Sequence, residues 1–273
     1  MFAGKNIVIT GAASGIGRAL AFRLLREKAV VWAWDRDPQA LKKAQTEAEK
    51  SGGELHTVAI DVTDAGALGE ACAETVRACE RIHIWINNAG ISGLGDFLGQ
   101  DDALFDRVLD VNLRALVRGT RLAVGHMDLK GGGTVINIAS VAGFVPAPYL
   151  AAYSASKHAV VGFTRALREE LRLKSSGVTL MLASPGFVDT GMIERGAPLG
   201  FPQWLSWALA DVDSTAKEIL SALRRGRDEV FPTWNGRLMV EMHKWLPRAT
   251  RRSARVLLTR SLRDFLLNRY TVA

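Results

Sequence analysis

The chain has 273 residues, 48 % of them hydrophobic and 23 % charged, which suits one large α/β domain or two small ones and excludes a fibrous or disordered protein. Its net charge of +7 is uneven. Residues 1–240 hold 27 Lys and Arg against 26 Asp and Glu, whereas residues 241–273 hold 8 against 2, so the body is neutral and nucleic acid is not an expected partner. The first residues, MFAGKNIVITG, lack the basic and apolar regions of a leader, and no run reaches the roughly 18 apolar residues of a membrane span. Cys72 and Cys79 lie seven apart in a helical segment, about 10 Å between Cα atoms and too far for a disulfide. Together these features lead to the expectation of a soluble cytoplasmic protein.

In chain order, apolar runs recur at 5–10, 30–35, 55–61, 81–88, 133–140, 178–184 and 229–233. Between them lie segments of helical periodicity, such as Ile16, Leu20, Leu24 and Ala71, Thr75, Ala78. One opens with Asp37-Pro38 and stops at Gly52-Gly53, the expected start and stop chemistry of a helix. Strands apolar on both faces and separated by helices indicate a parallel sheet covered on both sides. The expected fold is a single doubly wound α/β domain over 1–240, with a basic extension at 241–273.

The loop TGAASGIG, residues 10–17, follows the first strand and opens the first helix. Gly11, Gly15 and Gly17 allow a tight turn and close approach of a pyrophosphate to free N–H groups at the helix start, although the spacing departs from G-x-G-x-x-G. The second strand ends in Asp35, 18 residues beyond Gly17, near where a carboxylate accepts hydrogen bonds from an adenosine ribose. That carboxylate would repel a 2′-phosphate, so NAD is expected over NADP, with Arg36 next to it as the feature that could blur the choice.

Further along, YSASK places Tyr153 four residues before Lys157 on one helix face. A free phenol deprotonates near pH ~10, and a neighbouring ammonium is expected to bring that value down toward the working range of a proton-transfer group.

TGAASGIG, NNAG at 87–90, Asn112 in VNL, Ser140 after the fifth strand, YSASK at 153–157 and PGFVDT at 185–190 together resemble the short-chain dehydrogenase/reductase family, in the family's order over residues 5 to about 235. The resemblance implies a Rossmann-type sheet of seven parallel strands and an oxidoreductase that passes hydride between NAD(P) and a secondary alcohol or ketone. It implies Asn112, Ser140, Tyr153 and Lys157 as a catalytic tetrad: Tyr153 as acid/base, Lys157 lowering its pKa and holding the nicotinamide ribose, Ser140 bonding the substrate oxygen, Asn112 anchoring a water. Cofactor contacts are implied at Gly11, Ser14, Gly15, Ile16, Gly17, Asp35, Arg36, Asp61, Val62, Asn88, Ala89, Gly90, Tyr153, Lys157, Pro185, Gly186, Val188 and Thr190. A homo-oligomer paired through long helices is implied too. The competing function is a non-catalytic NAD(H)-binding sensor on the same fold. A hydrolase lacks its G-x-S-x-G elbow, and His56, His83, His126, His158 and His243 show no metal-ligand spacing.

Two segments interrupt the alternation. Residues 190–212 hold Met192, Ile193, Leu199, Phe201, Trp204, Leu205, Trp207 and Leu209, and Pro146, Pro148, Tyr149 and Phe187 are expected on the same wall. Such a lining suits a hydrophobic alcohol or ketone of steroid, retinoid, terpenoid or acyl type; packing of the lid on its own domain is the other reading. Residues 253–267 place Leu258, Leu262, Phe265 and Leu266 on one helical stripe with Arg255, Arg260 and Arg263 elsewhere. A helix on an anionic membrane, a helix packed on the body or a sister subunit, and a nucleic-acid patch all fit it, the last least.

Overall fold

The computed structural model describes residues 1–190 and 209–250. The expected lid residues from Met192 to Trp207 and the stripe at 253–267 lie outside them. Seven strands form one sheet: β1 (Asn6–Thr10), β2 (Val30–Asp35), β3 (Leu55–Ala59), β4 (Ile84–Asn87), β5 (Gly133–Ile138), β6 (Val178–Ala183) and β7 (Glu229–Val230). Their order is β3-β2-β1-β4-β5-β6-β7, and every pairing is parallel. The strand order reverses between β1 and β4, and in such sheets ligands lie in the crevice outside the strand ends at that point.

Helices α1 (Gly15–Arg26), α2 (Pro38–Lys50), α3 (Ala65–Cys79), α4 (Asp102–Leu109), α5 (Ala115–Leu129), α6 (Ala151–Leu173), α7 (Val212–Arg224) and α8 (Trp234–Trp245) carry the chain between and beyond the strands. On one face of the sheet Leu20 and Leu24 of α1 and Ile219 and Leu220 of α7 pack over Ile7 and Ile9. The other face is covered through Leu68 and Cys72 of α3, Ala123 and Met127 of α5 and Leu171 of α6 over Val8, Trp34, Trp85 and Val135. Each large aliphatic side chain buried this way contributes about 1.5–3 kcal/mol. Trp34 and Trp85 meet edge to face at 5.0 Å across β1, a geometry worth about 1 kcal/mol beyond burial.

Helix starts follow side-chain chemistry. The Asp37 carboxylate accepts from the N–H groups of Gln39 and Ala40, Asp64 from Gly66 and Ala67, and Asp101 from Ala103. In α3 the buried stripe is Leu68, Ala71, Cys72 and Thr75; Ala78, expected on it, is exposed, since the inner face turns from 75 toward the half-buried Val76 and Cys79. Both cysteines are free thiols on this one helix. The fifth strand stops at Ile138, two residues before Ser140, and the third at Ala59, two before Asp61. Residue 240 falls inside α8.

Between β4, β5, α5 and α6 runs a closed polar network. The Asn87 amide donates to Asn137 Oδ1 at 2.9 Å and to Thr120 Oγ1 at 3.0 Å, accepts from the Trp85 indole at 2.8 Å, and Asn137 donates on to Thr164 Oγ1 at 3.0 Å. Asn137, Thr120 and Thr164 are wholly buried, so every member depends on the others for its partner.

Two histidines are built in as acceptors. His83 Nδ1 takes the N–H of Asn6 and His126 Nε2 that of Ile82, both at 3.1 Å. Burial first, then Lys5 and Arg81 beside His83 and Lys130 and Arg81 beside His126, hold both pKa values below the ordinary histidine value. A group with a depressed folded-state pKa adds stability above its unfolded value, about 6.5 for histidine, and that stability is lost as pH falls. Thermal unfolding is therefore expected to move to lower temperature from pH 7 to pH 5, and a His83→Gln, His126→Gln double variant should show a flatter dependence over that window.

Candidate active site

The strand ends at the β1/β4 reversal gather most of the residues singled out by sequence. After β1 the chain turns through Gly11 at φ +66° and Gly15 at φ +52°, backbone that side chains rarely adopt. A Cβ on Gly11 would lie 2.9 Å from the Ala89 Cα, and one on Gly17 would collide with the Gly11 carbonyl and the Asn88 amide. The two loops are thus pressed together. Thr10 Oγ1 accepts from the N–H groups of Asn88 and Ala89 at 3.0 and 3.1 Å, and the Asn88 amide donates to the carbonyls of Thr10 and Gly11. Ser14 caps α1 by position only, because its exposed side chain makes no capping bond, and Ile16 is half-buried just inside the helix. The first turn of α1 carries no acidic residue that would oppose an anion there.

Asp35 closes β2 beside this loop. One carboxylate oxygen accepts from the Ala13 N–H at 3.0 Å and the other from Asp37 N–H at 3.1 Å, which fixes the group at the mouth of the glycine turn. Arg36 is exposed next to it. Beyond β3 the Asp61 carboxylate accepts from Thr63 N–H at 2.9 Å and Thr63 Oγ1 at 2.7 Å and pairs with Arg107 of α4. Partial burial raises its pKa, but the Thr63 and Arg107 contacts outweigh this and hold it at about 2. Val62 beside it is buried.

Asn112 sits in a single wide helical turn, Asp110–Arg114, between α4 and α5. Such turns displace one residue out of the helical ladder. Its wholly buried side chain accepts from Ile91 N–H at 2.8 Å and donates to the Ile91 carbonyl at 2.9 Å and to Ser156 Oγ at 3.1 Å. Ser156 in turn donates to the Tyr153 carbonyl at 2.7 Å. Asn112 thereby ties the loop after β4 to the turn of α6 that carries Tyr153. A Cβ on Gly90 would stand 3.2 Å from Asn112 Oδ1 and 3.8 Å from Lys157 Nζ, so the glycine leaves the space these groups face.

Tyr153 and Lys157 do share a face of α6, with Nζ 5.6 Å from the phenol ring centre. Lys157 Nζ donates to the Ile138 carbonyl at 2.9 Å, and burial brings its pKa down to about 8. Tyr153 departs from the sequence expectation. Burial pushes its phenol above the ordinary value, and what pulls the other way is the hydrogen bond with Ser140, not Lys157. The reason is distance and medium: an ammonium held on a backbone carbonyl, and itself made less basic by burial, does not offset the desolvation of the phenolate. Ser140 also accepts from Ala142 N–H at 3.2 Å, capping the short helical turn Val141–Gly143.

The PGFVDT segment borders the same space. The Pro185 carbonyl accepts from Val141 N–H, Gly186 N–H donates to Thr233 Oγ1 at 2.9 Å, and the Asn235 amide donates to the Phe187 carbonyl at 2.9 Å. Val188 bridges in parallel to Ala210, and Thr190 approaches Gly15, where a Cβ would lie 3.4 Å from the threonine methyl. Tyr149, at φ +62°, gives its carbonyl to Gly95 N–H and brings the 88–101 segment, with exposed Phe97 and Leu98, to the same rim.

Sequence reasoning missed the supporting groups: Thr10, Thr63, Arg107, Ser156, Thr233 and Asn235. Only Thr10, which opens TGAASGIG, and Ser156, inside YSASK, carry a local signal. The glycine cradle, the fastened Asp35 and the Gly90 gap provide the shape and donors that a dinucleotide requires, so the residues present fit that group.

A family model described as short chain dehydrogenase matches residues 5–197. The chain is 35 % identical over 195 residues to the 2-dehydro-3-deoxy-L-rhamnonate dehydrogenase (NAD(+)) of a Sphingomonas species, covering 71 % of this chain and 76 % of the relative. It is 33 % identical over 192 residues to the 3-oxoacyl-acyl-carrier-protein reductase FabG of Thermotoga maritima, covering 70 % and 77 %. Among solved structures, a short chain dehydrogenase/reductase from Burkholderia phymatum in complex with NAD superposes with a TM-score of 0.80 at 27 % identity, over 89 % of this chain and 95 % of that one.

Proposed function

We propose, from the premise that this chain belongs to the short-chain dehydrogenase/reductase family of NAD(P)-dependent oxidoreductases acting on CH–OH groups, that it oxidises a hydrophobic secondary alcohol, or reduces the matching ketone, with NAD preferred over NADP. The observation that carries the reading is the convergence of Ser140, Tyr153 and Lys157 beside the glycine cradle at the β1/β4 reversal.

Tyr153 is the acid/base: it takes the hydroxyl proton of the alcohol or returns one to the ketone oxygen. Ser140, which neighbours the phenol and lowers its pKa, holds the substrate oxygen beside it and stabilises charge that develops there. Lys157, buried one helical turn from Tyr153, holds the ribose hydroxyls on the nicotinamide side. Asn112 keeps the Ile91 loop and the Tyr153 turn at fixed spacing and offers the route for a relayed water. The nicotinamide ring, when bound, supplies or accepts the hydride.

Gly11, Ser14, Gly15, Ile16 and Gly17 receive the pyrophosphate; Asp35 receives the adenosine ribose, with Arg36 at its edge. Asp61 and Val62 border the adenine, while Asn88, Ala89 and Gly90 supply close backbone. Pro185, Gly186, Val188 and Thr190 flank the carboxamide. NAD preference is supported by Asp35, whose carboxylate is fixed at the mouth of the glycine turn by the Ala13 and Asp37 N–H groups and carries the charge that would repel a 2′-phosphate. The name of the Sphingomonas relative and the ligand of the Burkholderia structure point the same way. The hydrophobic substrate is supported by the apolar composition of residues 190–212, which follow the PGFVDT segment in the sequence. A polar hydroxy acid is the second reading, favoured by that same Sphingomonas relative. The working unit is a homo-oligomer.

Initial rates of NAD⁺ and NADP⁺ reduction against hydrophobic secondary alcohols, steroids and small polar diols test this directly. Turnover at least about tenfold faster per cofactor concentration with NAD⁺, and on the apolar alcohols, is expected. Equal use of both cofactors sinks the role of Asp35, and turnover confined to polar diols sinks the apolar substrate. NADH binding without turnover on any of them favours the sensor reading.

A further inference from the structure

Helix α8 exposes its apolar side to solvent. Trp234 is 52 % exposed, Leu238 51 %, Met242 40 % and Trp245 73 %, and these four fall at i, i+4, i+8 and i+11, one stripe of an α-helix. Leu246, 58 % exposed, extends the stripe by one residue. Met239, Val240 and His243, which are half-buried, occupy the opposite side. Only the first turn is embedded, through Asn235 and Gly236; from Arg237 onward no residue of the helix is buried.

Charge says what such a face fits. Arg237 and Lys244 are exposed on one flank of the stripe and Arg248 follows it, with Glu241 the one acid between them. Residues 241–273 hold 8 basic against 2 acidic residues in a chain otherwise near neutral. A tryptophan stands at each end of the helix, and tryptophan favours the boundary between headgroups and acyl chains. An apolar stripe edged by cations is the pattern of a helix that lies in the plane of a bilayer surface.

We propose that α8 is an in-plane membrane anchor: its Trp234, Leu238, Met242 and Trp245 stripe enters the headgroup–acyl boundary of an anionic bilayer while Arg237, Lys244 and Arg248 meet the lipid phosphates. The root of the helix is fastened to the rim of the site, by Asn235 to the Phe187 carbonyl and by Thr233 to Gly186. The site mouth therefore faces the bilayer, and an apolar alcohol reaches it from lipid. That last step rests on the substrate reading above; the docking itself does not.

The test is sedimentation of the full chain with vesicles of phosphatidylcholine alone and of phosphatidylcholine mixed with phosphatidylglycerol. A Leu238→Asp, Trp245→Asp variant is run beside it, and NAD(P)H binding of both proteins is read in buffer. The wild type is expected to partition onto the anionic vesicles at least about tenfold more strongly than onto the neutral ones, less so at high salt, and the variant to lose about tenfold or more with NAD(P)H binding unchanged. A second readout does not depend on that variant folding: quenching of tryptophan fluorescence by brominated phosphatidylcholine should shrink in Trp245→Phe. Wild type that stays in the supernatant overturns the proposal. So does a variant that partitions like wild type, which would move any binding to residues beyond 250, or one whose only change is from dimer to monomer, which would make the stripe a contact between copies. Loss of alcohol turnover with docking intact would overturn the substrate reading alone.

Discussion

Tyr153→Phe is expected to lower kcat for alcohol oxidation by about 1000-fold or more while leaving the dissociation constant for NADH within about twofold. Positioned proton transfer contributes about 10²–10⁴ in rate, and Tyr153 is the titratable side chain whose phenol lies beside Ser140 in the site. The substitution removes only the phenolic oxygen. The ring keeps its packing, the Tyr153 carbonyl keeps its bond from Ser156, and Lys157 keeps its own on Ile138, so neither the fold nor the cradle has cause to change. Stopped-flow turnover together with fluorescence titration of NADH separates the two quantities. Residual kcat within tenfold of wild type would remove Tyr153 from the role of acid/base. A large loss of NADH affinity would instead make it a structural residue of the cradle.

The fold was legible because its signals are local and redundant. Seven apolar runs, Asp37-Pro38 at a helix start and Gly52-Gly53 after its end each specify one element, and parallel pairing follows once strands alternate with helices. Boundaries were less so. Ile138 to Ser140 and Ala59 to Asp61 read as apolar or polar runs of the same kind, yet the ladder ends where a neighbouring strand no longer supplies partners. At the site, motif residues such as Gly11, Gly17 and Lys157 could be named because each has a chemistry that few other residues supply. What could not be read is who holds them. Thr10 fastens Asn88, Arg107 fastens Asp61, Ser156 links Asn112 to Tyr153, and Asn235 fastens Phe187 from 48 residues away. Such bonds join positions far apart in the chain, and a threonine or serine leaves no trace of its partner in its neighbours. The sign of the Tyr153 shift failed for the same reason: proximity of Lys157 is visible at i+4, whereas burial depends on everything packed around both.

Lys157→Met is expected to do two opposite things: to reduce kcat/KM by about 100-fold or more, and to stabilise the cofactor-free protein at pH 7 by about 2 kcal/mol. Lys157 is 4 % exposed and its pKa is brought by burial from 10.5 to about 8. The folded state thus holds fewer protons than the unfolded chain between those values, so stability rises with pH across that window and carries its full penalty below pH 8. A shift of that size corresponds to about 3 kcal/mol, and loss of the bond to the Ile138 carbonyl takes back about 1 kcal/mol. Methionine fills a similar volume without charge. Urea unfolding at pH 7 and at pH 9.5 tests the sign: the advantage of the variant should be largest at pH 7 and should shrink by pH 9.5, where wild type no longer carries a buried ammonium. An advantage independent of pH would assign it to packing. A variant less stable than wild type at pH 7 would mean that the ammonium is held by more than one carbonyl. The expected outcome makes Lys157 a group retained at a cost to the fold, and the accompanying loss of turnover identifies what that cost supports.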